Sequence, residues 1–326
     1  MFNPEFKRMK SYYSLPLLFF LFLSACSAPA PTQVVDVQDA SDSENAADVA
    51  PFATSELASP TQVGTESASA PTPRPTLSPD AWMEMPIIPA VSDTARAIYQ
   101  RGLDMGNDPN VFSKVGDCQN VTSRFLGVFD HPDEFTLGND HIALQETIDY
   151  FSGSFARDSL AVKGGNQPAT VLTPLHADKD FCEPNEAPFA CELRVNNPSF
   201  VLISLEAWGN RPIETYEGYL RQIIDHAIEQ GVVPILATKA DNLEGDQSVN
   251  RTIAKLAYEY DIPLWNFWRA AQTLPNGGVE DDGFHLTFSG DAGNQFNDPY
   301  RMEFGWAMRN LTALEAIDAV RRGVTE

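Results

Sequence analysis

The clearest pattern along the chain is a near-continuous apolar run, Phe200 to Leu205 (FVLISL), of the kind a parallel strand buried on both faces requires. A helical pattern follows from Ile213 to Gln230. There Tyr216, Tyr219, Leu220, Ile223, Ile224, Ala227 and Ile228 keep the spacing of one helix face, and Gly231 stands at the expected stop. The same alternation continues on both sides. Before it come a helix capped by Ser92 with Ala95, Ile98, Tyr99 and Leu103 on one side, a strand over Val111 to Val115, a helix over His141 to Phe151 and a second strand over Ser159 to Val162. After it come a strand over Val232 to Ala237, a helix over Asn250 to Tyr260 with Ile253, Leu256 and Ala257 inward, a strand over Ile262 to Phe267 and a C-terminal helix from about Arg301 through Ile317. Strand and helix alternating in this way predict a three-layer α/β/α sandwich with a mainly parallel sheet.

Residues 1–80 lack this periodicity. Lys7, Arg8 and Lys10 precede the apolar stretch Leu15 to Leu23, which is too short to span a bilayer, and Leu23-Ser24-Ala25-Cys26 follows at once. The segment 1–26 reads as a signal peptide whose ending resembles a bacterial lipobox, with Cys26 the lipidated residue. Residues 27–80 are rich in Ala, Ser, Thr and Pro and cannot bury enough surface to offset ordering entropy, so they read as a flexible tether. The domain is expected over 81–326, at the cell surface and held to the membrane by the N-terminal lipid alone.

Charge narrows the partners. The net charge is −23, and removing residues 1–25, which carry Lys7, Arg8 and Lys10 against Glu5, takes it to −25. So acidic a chain repels nucleic acid and anionic headgroups, which argues against a nucleic-acid partner and a polybasic membrane contact; a monomer is expected.

Four cysteines are present, at 26, 118, 182 and 191. Cys182 and Cys191 flank a short Pro-containing loop and are expected to pair in an exported protein, which leaves Cys118 free if Cys26 carries lipid; a disulfide to Cys118 is the alternative.

Chemistry concentrates in two short blocks. Gly116-Asp117-Cys118 ends the first strand, where sites form in parallel sheets, and a cysteine next to a helix N-terminus there would favour the thiolate. Asp282-Gly283-Phe284-His285 comes late in the chain. An Asp three residues before a His can bond Nδ1–H and leave Nε2 to take a proton from a nucleophile; the adjacent Asp281 would need a different backbone. His176 and His226 read as structural or exposed, and the loop with Asp130, His131, Asp133, Glu134, Asp140 and His141 as solvated, with no metal-ligand spacing. Trp208, Trp265 and Trp268 read as core, although Trp208 follows a strand's carboxyl end and could line a pocket.

These blocks resemble those of the GDSL/SGNH hydrolases over roughly residues 92 to 322. Gly116-Asp117-Cys118 is similar to that family's Gly-Asp-Ser, with cysteine in the serine's place, and Asp282 to His285 is similar to its late Asp-x-x-His. Gly164-Gly165 falls where the family has an oxyanion glycine, Gly165 being favoured. The resemblance implies a flavodoxin-like sandwich and hydrolysis of ester (acyl) bonds of a small-molecule or carbohydrate substrate, without metal or organic cofactor. Cys118 would be the nucleophile, His285 the base and Asp282 its orienting carboxylate. After the third strand the chain departs from the family: an ungapped comparison puts Glu206 at its glycine and Trp208 at its oxyanion asparagine, and Asn210 fits only in a loop two residues longer. The alternative is an inactive protein of the same fold that binds a carbohydrate or small ligand.

Overall fold

A computed structural model describes residues 76–209, 211–290 and 294–325. The segment read as a signal peptide, Cys26, residues 27–75 of the expected tether and Asn210 lie outside the described residues. The chain divides into two units, Met1–Ser69 and Ala70–Glu326, and the structure concerns the second.

In chain order the elements are α1 (Asp93–Met105), β1 (Asp108–Gly116), α2 (Gln145–Tyr150), α3 (Pro168–Val171), α4 (Pro188–Asn196), β2 (Pro198–Ser204), α5 (Ile213–Glu229), β3 (Val233–Ala237), α6 (Ser248–Tyr260), β4 (Leu264–Trp265), α7 (Phe267–Ala271) and α8 (Gly305–Thr325). The sheet order is β1-β2-β3-β4, all parallel, and every residue of β2 and β3 is buried. Helix α1 packs with α8 and on β2 and β3, whereas α5 packs with α4 and α6 and on β3. These are the two helical layers of a three-layer α/β/α sandwich.

The helices form where the periodicity places them, for identifiable reasons. The Ser92 hydroxyl caps α1 by accepting from the Ala95 N–H at 3.1 Å, and Gly106 closes the helix in the left-handed region at φ 94°. On α5, Tyr216, Leu220, Ile223, Ile224 and Ala227 are buried on one face. Among the described residues no helix is long and apolar enough to cross a membrane.

Three expectations change. Ser159 to Val162 is not a strand; only Val162 bridges Gly116. Its pairing with β1 is confined to that bridge, where the Gly116 N–H donates to the Ala161 carbonyl at 3.2 Å and the Lys163 N–H to the Gly116 carbonyl at 3.3 Å; the Leu160 N–H donates instead to Glu192 Oε2 at 2.8 Å, and the Ser159 hydroxyl donates to the Lys114 carbonyl at 2.6 Å. The segment His141 to Phe151 is a 3-10 stretch, Asn139–Leu144, followed by the short α2. The last strand shrinks to Leu264–Trp265, because Asn266 caps α7. Cys182 and Cys191 are disulfide-bonded and Cys118 is free.

The register aligns the carboxyl ends of the strands. Gly116 pairs with Ser204, Ile203 with Leu236 and Ala237 with Trp265. The segments after Gly116, Ser204 and Ala237 therefore emerge along one edge, and all three carry polar side chains.

Candidate active site

The turn after β1 is built around a buried carboxylate. Asp117 Oδ1 accepts from the Gln119 N–H at 3.0 Å, and Oδ2 accepts from the N–H groups of Glu206 and Ala207 at 2.8 and 2.9 Å. Asp117 thus caps the 3-10 turn Cys118–Asn120 and holds the loop after β2 against it. Gly116 is required by space: a Cβ there would lie 2.0 Å from Asn120 Nδ2, which donates to the Ser204 carbonyl at 2.8 Å.

Cys118 follows, half-buried. Burial, then the charges of Asp117 and Glu206, push its thiol up to about 11. The expected thiolate is therefore not favoured: a three-residue 3-10 turn offers little dipole, and two carboxylates lie nearby. At neutral pH the group is a neutral thiol, which would need a base to act as a nucleophile, as a serine hydroxyl does.

The candidate base comes from a second turn. Val279 and Leu286 form an antiparallel bridge, and the Glu280 N–H donates to the His285 carbonyl at 2.7 Å. Gly283, at φ 70°, allows the tight reversal between them. Asp282 Oδ1 accepts from the Phe284 and His285 N–H groups at 2.9 Å each, and Oδ2 lies 2.6 Å from His285 Nδ1. The bond to His285, then those two N–H bonds, hold the Asp282 carboxyl down at about 2. Because that carboxylate only accepts, the proton sits on Nδ1 and Nε2 is left as the acceptor. The Asp282 and His285 side chains are 49% and 56% exposed, so Nε2 is open to an incoming group.

The two turns are tied together: Gln119 Nε2 donates to the Phe284 carbonyl at 2.9 Å. Cys118 precedes Gln119 and His285 follows Phe284. Cys118 Sγ and His285 Nε2 are not hydrogen-bonded to each other. Gly165 sits on a third loop bound to the end of β1, where the Lys163 N–H and Asn166 Nδ2 both donate to the Gly116 carbonyl, at 3.3 and 3.2 Å. Gly165 itself is left-handed, at φ 82°.

The altered third block has its own logic. Glu206 does not face the site; it turns inward and pairs with the fully buried Arg309 at 2.7 Å. Ser204 Oγ and Glu206 Oε1 each accept from Arg309 Nη2 at 2.7 Å, and the guanidinium stands over the rings of Phe125, Trp265 and Phe267. Trp208, where the comparison put the oxyanion asparagine, spends its indole N–H on the Arg211 carbonyl at 3.2 Å. Its ring packs against Tyr216.

Several residues of this assembly carry no motif signal: Gln119, Glu206 and Arg309. The one clue in the chain is that Glu206 is a charge placed directly after the apolar run Phe200 to Leu205. Elsewhere, Asp130 of the acidic loop accepts from the Gly153 and Ala156 N–H groups, and His141 faces Glu315 at 3.4 Å. The disulfide lies apart from the site, at α4 and the segment before it.

No family model and no curated protein matches this chain. Among solved structures, it is similar to a GDSL-like lipase from Bacteroides thetaiotaomicron VPI-5482. The identity is 16% and the TM-score 0.40, over 69% of this chain and 97% of that one. The site residues therefore rest on the geometry of this chain.

Proposed function

We propose that this protein is an ester hydrolase of the GDSL/SGNH kind in which cysteine takes the serine's place, exported and anchored through a lipid on Cys26. His285 Nε2 takes the Cys118 proton as sulfur attacks the acyl carbon. The oxyanion lies against the N–H groups of Cys118 and Gly165, with Asn210 a third donor. His285 returns the proton to the departing alkoxide, leaving a thioester. Water then attacks with His285 as base, and the carboxylic acid and free thiol are released. The observation that carries this reading is the His285–Asp282 pair, oriented by three hydrogen bonds and linked through Gln119 to the turn bearing Cys118.

The test is mass spectrometry after exposure to an activated ester. An acyl adduct on Cys118, absent in Cys118→Ala, is expected. A folded protein that takes up neither an acyl group nor a thiol probe at Cys118 overturns the reading.

A second reading is favoured by one observation: the thiol is neutral and has no hydrogen bond to His285. On that reading the protein binds a carbohydrate or small ligand without turnover. A panel of esters on wild type, Cys118→Ser and Cys118→Ala separates the two. Turnover that rises with serine and vanishes with alanine supports the hydrolase, and none in any of the three supports the binder.

A further inference from the structure

Helix α8 is fastened to both turns of the candidate site. Its first residue, Gly305, donates its N–H to the Thr287 hydroxyl at 2.7 Å, and the Trp306 N–H donates to the Thr287 carbonyl at 3.1 Å. Thr287 follows His285 by two residues. The approach is close. A Cβ on Gly305 would lie 2.1 Å from the Gly278 carbonyl oxygen, which accepts from the Thr287 N–H at 2.9 Å. The foot of the His285 turn is therefore fixed to the start of α8.

One helical turn further on, α8 grips the other half of the site. Arg309 Nη2 donates to Ser204 Oγ and Glu206 Oε1 at the end of β2, and reaches Asn120 Oδ1, in the Cys118–Asn120 turn, at 3.5 Å. The N–H of the same Glu206 holds Asp117. The neighbouring Asn310 takes the chain just beyond the turn: its Oδ1 accepts from the Leu126 N–H at 2.7 Å, and its Nδ2 donates to the Arg124 carbonyl at 3.0 Å. The segment from Gly305 to Asn310 thus spans the distance between the turn of His285 and the turn of Cys118.

Arg309 is the costly member of this set. It is fully buried, and its Nε and Nη1 are enclosed with no hydrogen-bond partner among the described residues. A buried ion pair is often no more stabilising than apolar residues of the same volume. What apolar side chains cannot supply is direction: a charged nitrogen bonded to two acceptors fixes where α8 stands along β2.

We propose that Arg309 is a positioning residue: paired with Glu206, it sets α8 against the end of β2, and through Thr287 it sets the distance from His285 to Cys118. The catalytic roles of those two residues rest on the hydrolase reading; the spacing between them does not.

The experiment is cross-linking of the full chain with 1,3-dibromoacetone at about pH 9, where more of the thiol is ionised, located by mass spectrometry of the digest. The Cys118 sulfur displaces one bromide, and a nearby His285 Nε2 displaces the other. The readout is the share of Cys118-alkylated protein that goes on to bond His285, so a change in thiol acidity does not enter. Most of the alkylated wild type should be bridged. Arg309→Met breaks the ion pair and should lower that share about tenfold, together with the urea midpoint. Glu206→Met combined with Arg309→Met removes both charges and should recover the midpoint but not the bridge. Thr287→Val keeps the side-chain shape, loses the acceptor for the Gly305 N–H, and should lower the share about fivefold. A wild type that is never bridged, either arginine variant bridged like wild type, or an unchanged share in Thr287→Val overturns the proposal. Thr287→Val decides alone if neither arginine variant folds. Hydrolysis of p-nitrophenyl acetate is read separately. A bridge lost in the variants, with no hydrolysis by wild type, keeps the positioning and removes the hydrolase; hydrolysis whose kcat the variants leave unchanged does the reverse.

Discussion

Gln119 donates its side-chain amide to the Phe284 carbonyl at 2.9 Å, and that bond joins the turn carrying Cys118 to the turn carrying His285. The two turns are 165 residues apart in the chain. Replacing Gln119 with leucine removes the bond while keeping a side chain of similar size. A displacement of about 1 Å at a reacting pair costs on the order of a hundredfold. The expected result for Gln119→Leu is a fall in kcat on an activated ester of about ten- to a hundredfold, with an unchanged circular dichroism spectrum.

Asp282→Asn tests the orienting carboxylate. The amide can present N–H to His285 Nδ1, which then accepts and moves the ring proton to Nε2, where the base lone pair is needed. The rate should fall by about 10²- to 10⁴-fold, read as kcat/KM. An unchanged rate removes Asp282 from the mechanism.

The Cys118 thiol should behave as a weak acid. Burial and the charges of Asp117 and Glu206 push it to about 11, so the thiolate fraction falls below that of an ordinary cysteine at every neutral pH. Iodoacetamide labelling at pH 7 should be about a hundredfold slower than for free cysteine and should rise through a midpoint near pH 11. A midpoint near neutrality would mean that His285 holds the thiolate as an ion pair.

Gly116→Ala places a methyl 2.0 Å from Asn120 Nδ2. The Asn120 side chain must then leave the Ser204 carbonyl, to which it donates. Overpacking of this kind costs about 1–3 kcal/mol, visible as a lower urea midpoint, and the strand-end turn should lose activity with it.

Lys114 gives a pH dependence of stability. It is buried on β1, donates to the Phe155 carbonyl at 2.7 Å, and burial lowers its pKa from 10.5 to about 8. A base with a lowered folded-state pKa binds fewer protons folded than unfolded between those two values. Its charge therefore costs stability below pH 8, and the cost is relieved as pH rises from about 8 to 10.5. At 1.36 kcal/mol per unit this is about 3 kcal/mol. Urea titrations of wild type and Lys114→Met should show the variant's relative advantage shrinking by that amount across the window.

The sequence alone determined the layer architecture. Apolar runs and one-faced helices are local consequences of burial, so the sheet strands at Phe200 and Val233 and the face of α5 could be read from spacing. The His285–Asp282 pair was legible for the same reason: three residues and a left-handed Gly283 bring the two side chains together within one turn. The Cys182–Cys191 disulfide also spans a short loop. What lay beyond the sequence were relations between residues far apart in the chain. The strand expected at Ser159 stops at a single bridge to Gly116, because the Leu160 N–H is taken by Glu192 instead of by a neighbouring strand. Glu206, which looked like a defect in an oxyanion block, is the partner of Arg309, 103 residues away. The acidity of the Cys118 thiol was decided by the same packing. Its local turn suggests activation, but burial, the adjacent Asp117, and Glu206, which the fold brings in from 88 residues away, reverse the sign, because the energy of a charge depends on everything near it in space and not only on its neighbours in sequence.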